Sequence, residues 1–271
     1  MAVNPALLLL TDSRLPAGGH AHSGGTEQAI ATGTVHDLAS LAAFLRGRLH
    51  TSGHVAAALA AAACALGEES SRTGACAQPW PEALGASRAE ALGTSPTRSE
   101  ALGALWILLD AEADARTASP AQRAASRTQG RLLLRVARRL WPSPTLDDLT
   151  AGPDLRCPGA LDDLALAVPN PHHPIALGAA AHAAGASPED AALAAAYHAI
   201  TGPATAAVRL LGLDPVAVHG LLADLTPDLA TTASDATPYS RPWAELPARS
   251  APALDLLAER HAGAKVRLFV S

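Results

Sequence analysis

Apolar residues recur along this chain at the spacing of a helix and almost nowhere at the spacing of a strand. Leu38, Leu41, Leu45 and Leu49 fall on one stripe, and Leu102, Leu105 and Leu109 on another, which is the i, i+3/i+4 pattern of an amphipathic helix. No comparable period-two alternation precedes the tail. Proline punctuates the pattern: Ser119-Pro120, Ser187-Pro188, Asp214-Pro215 and Thr226-Pro227 each set it after a capping residue, where its fixed φ suits the first helical position and its missing N–H is no loss. Ser187 is followed three residues on by Asp190, an approximate capping box. Gly33, Gly53, Gly185 and Gly212 read as C-terminal stops. The pattern predicts an all-α fold, a single-domain helical bundle spanning 1–271 with roughly ten helices at ordinary helix lengths. Residues 251–271 read as a short helix, near 252–261, and an extended C-terminal tail. Residues 68–81 and 153–171 read as surface loops, and 233–250 as a polar connector. The segment 265–271 is too short to fold alone, so it is either frayed or docked on a partner.

Composition narrows the function. The chain is 49% hydrophobic but only 3% aromatic, so its core must be built from Leu and Ala in closely packed helices. A net charge of -5 gives no electrostatic case for nucleic acid or an anionic membrane. Lys265 is the only lysine, which excludes a Walker A motif; if the chain works with GTP, another protein binds the nucleotide. Cys64, Cys76 and Cys157 form no C-x-x-C pair and fit a reducing cytoplasm. The N-terminus lacks the positive region of a signal peptide. The longest uncharged run, near 191–208, is mostly alanine and is interrupted by Gly202-Pro203, a poor membrane span.

The densest chemistry lies in residues 10–27, where Pro16, four glycines, His20, His22, Asp12 and Glu27 share one loop leading into a helix. Such a loop can serve as an anion nest, a metal clip or a docking surface. Ser23 and Glu27 read as an N-cap and an acid in the first turn. His20 and His22 are weak metal candidates, since no second ligand pair accompanies them. His172-His173-Pro174 opens another helix, where the imidazoles cap, pack or line a metal path, and Gly178 permits close helix contact with Leu177 and Ala181 on the core side. Arg127, Arg131, Arg135 and Arg138 share one face of the helix begun at Pro120, either a solvated face with salt bridges or a dock for an acidic partner. Asp110, Glu112 and Asp114 alternate and read as not sharing a helical face. No di-iron Glu-x-x-His motif and no G-x-S-x-G motif is present.

Four segments together resemble the urease accessory protein UreF family. They are Asp12-Ser13, Pro16, Gly18, Ser23, Gly25 and Glu27 at the spacing of its N-terminal signature; Ala125 through Gly130-Arg131 to Arg135; His172 through Gly178; and Arg260-His261 followed by Arg267 to Ser271. The resemblance implies an all-α, non-catalytic scaffold that forms a homodimer and binds UreD, also called UreH. The pair would recruit the GTPase UreG and couple GTP hydrolysis to nickel insertion into apo-urease. It implies no intrinsic cofactor, nickel being handled by the complex and GTP by UreG. The residues it points to for partner binding are Asp12, Pro16, Gly18, Ser23, Glu27, Gly130, Arg131, His172, Arg209, His261, Arg267 and Phe269. The family commonly has an aromatic residue where this chain has His20, so the His-x-His pair is a local departure. A metallochaperone binding nickel through its own histidines is the alternative, and a helical enzyme the third class.

Overall fold

The computed structural model describes residues 4–72, 97–142, 159–238 and 241–269, and among them there is no strand. Chain order runs through α1 (Pro5–Thr11), α2 (Thr26–Ala31), α3 (Leu38–Arg48), α4 (His54–Arg72), α5 (Arg98–Ala115) and α6 (Pro120–Leu140). It continues through α7 (Ala160–Ala167), α8 (His173–Ala183), α9 (Pro188–Leu211), α10 (Pro215–Asp224), α11 (Thr226–Ala236) and α12 (Pro252–Ala262). The Ser-Pro and Asp-Pro punctuation is used as the sequence predicts. Ser119 accepts the N–H of Gln122, Ser187 and Asp190 close a reciprocal capping box, and Asp214 accepts the N–H of Val216. Thr226 departs from the pattern: it is already helical, and Leu225 precedes it without a side-chain cap.

Three predicted interruptions are absent. Gly53 does not end a helix; a π-helical turn, Leu49–Gly53, joins α3 to α4. Pro203 lies inside α9, which runs through it. The stretches read as loops are partly helical, since α4 continues to Arg72 and α7 occupies Ala160–Ala167. Residues 168–171 are non-helical as expected, whereas 73–81 and 153–158, with Cys76 and Cys157, lie outside the described residues. Gly33, Gly185 and Gly212 do close helices, each with positive φ.

Helices α4, α8 and α9 pack against one another at the centre, and their buried alanines and leucines join the rest of the core in one cluster. A core of small side chains demands close backbones. A Cβ on Gly178 would overlap the carbonyl of Ala60 in α4, and one on Gly130 would overlap the carbonyl of Pro171, just before α8. Leu41, Leu45 and Leu49 are fully buried, while Leu38 is 37% exposed at the edge of its stripe. Cys64 points its thiol at the carbonyl of Ala186, 3.4 Å away, and burial pushes it up to about 12, so this sulfur is inert. The segment Leu38–Ser70 is long and apolar enough to cross a membrane, but 72% of its most apolar window is buried within the protein. Its apolar character serves the core.

Candidate functional site

The N-terminal loop and the C-terminal tail meet. Gly18, Gly24 and Gly25 take positive φ, bending the chain into α2 in a way other residues resist. The N-cap of α2 is Gly25 rather than Ser23; buried Ser23 accepts the N–H of Glu27 at 3.4 Å. Glu27 leaves the first turn with its carboxylate facing the tail. There it accepts the N–H of Leu268 at 2.8 Å and of Phe269 at 3.0 Å. The buried ring of His261, in the last turn of α12, lies 3.8 Å from the same carboxylate and bonds the Phe269 carbonyl at 3.2 Å. The Arg209 guanidinium stands 5.9 Å from the centre of the Phe269 ring, a cation–π distance. The tail is therefore docked on this chain's own body through Phe269, neither frayed nor waiting for a partner to order it. Residues 270–271 lie outside the described residues.

Arg48 fastens the other side of the loop. Its Nε donates to the carbonyl of Ala199 at 2.7 Å and its Nη1 to that of Gly24 at 2.8 Å, and burial lowers its pKa to about 10. Asp12 pairs with its near neighbour Arg14 at 2.8 Å on the surface, Pro16 is exposed, and Gly18 meets the side chain of Leu132.

A second cluster lies under the start of α8. Asp110 and Asp114 sit one helical turn apart on α5 and face the same way, contrary to the reading of alternating carboxylates. Glu112, on another face, pairs with Arg116. Arg127 of α6 donates from Nη1 to Asp110 at 3.0 Å and from Nη2 to Asp114 at 2.5 Å, and reaches the carbonyl of Asn170 at 2.7 Å. The backbone N–H of His172 donates to Asp110 at 2.8 Å, and its ring bridges Asp114 through Nε2 at 2.8 Å and Ser126 through Nδ1 at 3.0 Å. Burial lowers the His172 pKa against the pull of Asp114. Burial raises the Asp114 carboxyl, but hydrogen bonds from His172 and Arg127 outweigh it and hold the carboxyl below its usual range. A neutral ring donating from Nε2 and accepting at Nδ1 satisfies every partner, because Ser126 can donate to Nδ1 while accepting the N–H of His173 at 3.1 Å.

Asp110, Asp114 and His172 offer three ligand atoms within 4.8 Å of one another, close enough for a metal ion. The Arg127 guanidinium already bridges both carboxylates, so the cation here is the protein's own. His22 is buried and the His20 side chain lies outside the described ones; neither joins that group.

Of the residues predicted for partner binding, the structure brings Glu27, Arg209, His261 and Phe269 together in the tail latch. Ser23, Gly130 and His172 are buried and present no side chain to a partner. Arg131 is exposed on α6, and Arg138 pairs with Asp162 at 2.7 Å. Among the described residues, Arg131 and Arg135 form no ion pair. Sequence reasoning misses Arg48 as a fastener and Asp110 and Asp114 as a pair. Their i, i+4 spacing was the available signal.

The fold and these contacts define an all-α protein whose N-terminal loop and C-terminal tail are fastened together on one face of a helical body. The UreF family model matches residues 35–226. The urease accessory protein UreF of Mycolicibacterium vanbaalenii is 41% identical over 265 residues, covering 98% of this chain and 97% of that protein. Those of Mycobacterium sp. strain JLS and Mycobacterium marinum are 40% and 39% identical, over 100% and 98% of this chain and 100% and 97% of theirs. The chain belongs to the UreF family.

Proposed function

We propose that this protein acts in urease maturation as a non-catalytic cytoplasmic scaffold: it binds UreD/UreH and recruits the GTPase UreG, coupling GTP hydrolysis to nickel insertion into apo-urease. The observation that carries this reading is similarity to urease accessory proteins along 98% or more of the chain. Nickel is cargo of the complex, and GTP belongs to UreG. A scaffold influences a GTPase only by binding its nucleotide states unequally, and the exposed Arg131 and Arg135 on α6 suit a carboxylate-bearing partner. The tail carries Val266 and Leu268, 85% and 77% exposed, as apolar contacts for UreD/UreH. Within this reading, Glu27 acts by positioning the tail.

A homodimer is part of the same proposal. On α5, Ala104, Ile107, Leu108, Ala111 and Ala115 form an exposed stripe without a charge, which a second copy would bury.

Co-purification tests the reading. The intact chain should retain UreD/UreH and UreG, truncation after Gly263 should abolish recovery of UreD/UreH, and Arg131→Ala should lower UreG recovery roughly tenfold with helicity unchanged, the loss of one charged contact. Equal recovery of UreD/UreH after truncation would remove the tail from the interface.

A further inference from the structure

Between α12 with the tail and the body of the bundle lies a cavity of about 460 Å3, within the size range of small-ligand sites. Among the described residues, its walls carry Arg48, Arg249 and Arg267 against a single carboxylate, Asp255. That balance inverts the composition of a chain with 25 acidic and 20 basic residues. Arg116 also lines the cavity but is committed to Glu112 and to the carbonyls of Trp243 and Leu246. The other three are not neutralised. Arg48 and Arg249 donate only to backbone carbonyls, and among the described residues none of the three forms an ion pair with a carboxylate.

Guanidinium groups that line one cavity in excess of its carboxylates favour an anion and disfavour a metal ion. His173 and His198 line the same cavity, and burial holds them neutral at pH 7. They add N–H donors or acceptors without adding charge. Arg267 is the tail's contribution, and it is held at the wall because the next two residues, Leu268 and Phe269, are fastened to Glu27.

We propose that this cleft binds a small oxyanion, phosphate-like or carboxylate, between the arginines of the body and Arg267 of the tail, so that anion binding and tail docking reinforce each other. The proposal needs no partner protein, so its failure leaves the scaffold reading intact.

Calorimetric titration of the full-length protein with inorganic phosphate, against sodium chloride of equal ionic strength, tests it, with a short Asp/Glu peptide as the second probe. Saturable binding is expected, weakened roughly tenfold by Arg249→Gln and by Arg267→Gln, each the loss of one charge-assisted contact. Both positions are exposed, and thermal melts check that the variants fold. Phosphate at ten times its Kd should slow tryptic cleavage after Lys265 by about tenfold, the mass-action result if only the docked tail binds. Binding of the peptide alone would identify the ligand as a protein carboxylate. Absence of saturable binding with both probes, or binding that neither substitution weakens (an adventitious ion only), overturns the proposal.

Discussion

Glu27 and Phe269 lie 242 residues apart in sequence and 3.0 Å apart across a hydrogen bond from the Phe269 N–H to the Glu27 carboxylate. Because Leu268 donates to the other oxygen at 2.8 Å, one side chain fixes two consecutive peptide groups. Hydrogen bonds to a charged acceptor are worth about 1.5–3 kcal/mol each. Replacing the carboxylate by an amide keeps the shape and removes the charge. Glu27→Gln should therefore raise the rate of tryptic removal of the tail after Lys265 by about tenfold or more, with circular dichroism unchanged. A cleavage rate equal to that of the native chain would show that the latch is not what holds the tail.

Arg127 is the hub of the cluster under α8, bridging Asp110 and Asp114. Asp110 is only 5% exposed, so little solvent stands in for that partner. Removing one member of a buried ion pair strands the other, at a cost of about 3–5 kcal/mol. Arg127→Ala should lose stability in that range by urea unfolding. Asp110→Asn combined with Arg127→Met should recover part of it, since the buried carboxylate is then no longer stranded and Asp114, whose side chain is 42% exposed, keeps the His172 ring and solvent. A loss below about 1 kcal/mol for the single variant would mean that solvent already screens the pair.

Much of the fold is legible because its signals are local. Ser119, Ser187 and Asp214 each cap a helix that a proline opens, so three or four residues suffice to place the start. Gly53 and Pro203 look like breaks by the same local logic, yet tertiary packing overrides them. Gly53 is buried against Ala199, and Pro203 is buried within a helix that continues on both sides of it. The candidate site is less legible because its pairs are remote. Nothing near Glu27 announces residue 268, and nothing near Arg48 announces Ala199. Asp110 and Asp114 do stand at helical spacing, but intervening Glu112, turned to Arg116, gives the sequence the look of an alternating acidic run.

Gly130 belongs to a motif that suggests partner binding, whereas its position argues for packing. An added Cβ would overlap the Pro171 carbonyl and crowd the His172 and His173 backbone. These atoms are backbone and cannot swing aside, so α6 and the start of α8 must separate, at about 1–3 kcal/mol. The same displacement would stretch the His172 contacts with Ser126 and Asp114. Gly130→Ala should lower the melting temperature by several degrees, while Gly47→Ala, with no atom near the added carbon, should not. Equal melting temperatures for the native chain and Gly130→Ala would refute the packing role.

Acid sensitivity follows from the buried imidazoles. Burial, then the neighbouring charges of His198 and His22, lowers His173 from the ordinary 6.5 to about 3; burial lowers His198 to about 4 despite the Leu10 carbonyl, which pulls it upward. Both folded values lie below the unfolded one, so between them the unfolded chain binds more protons and stability rises with pH. The contribution is complete above about pH 6.5 and is lost as the pH falls toward the folded values. Each histidine can cost up to about 1.4 kcal/mol per pH unit in that window. His172 and His54, also lowered, act in the same direction. Because ordinary carboxylates titrate below about pH 5, urea unfolding between pH 6.5 and 5 isolates the histidines. Stability should fall across that interval, and His198→Gln should flatten the slope by close to one proton. A slope that is flat in the native chain, or unchanged in the variant, would mean that these rings take up protons without leaving the folded state.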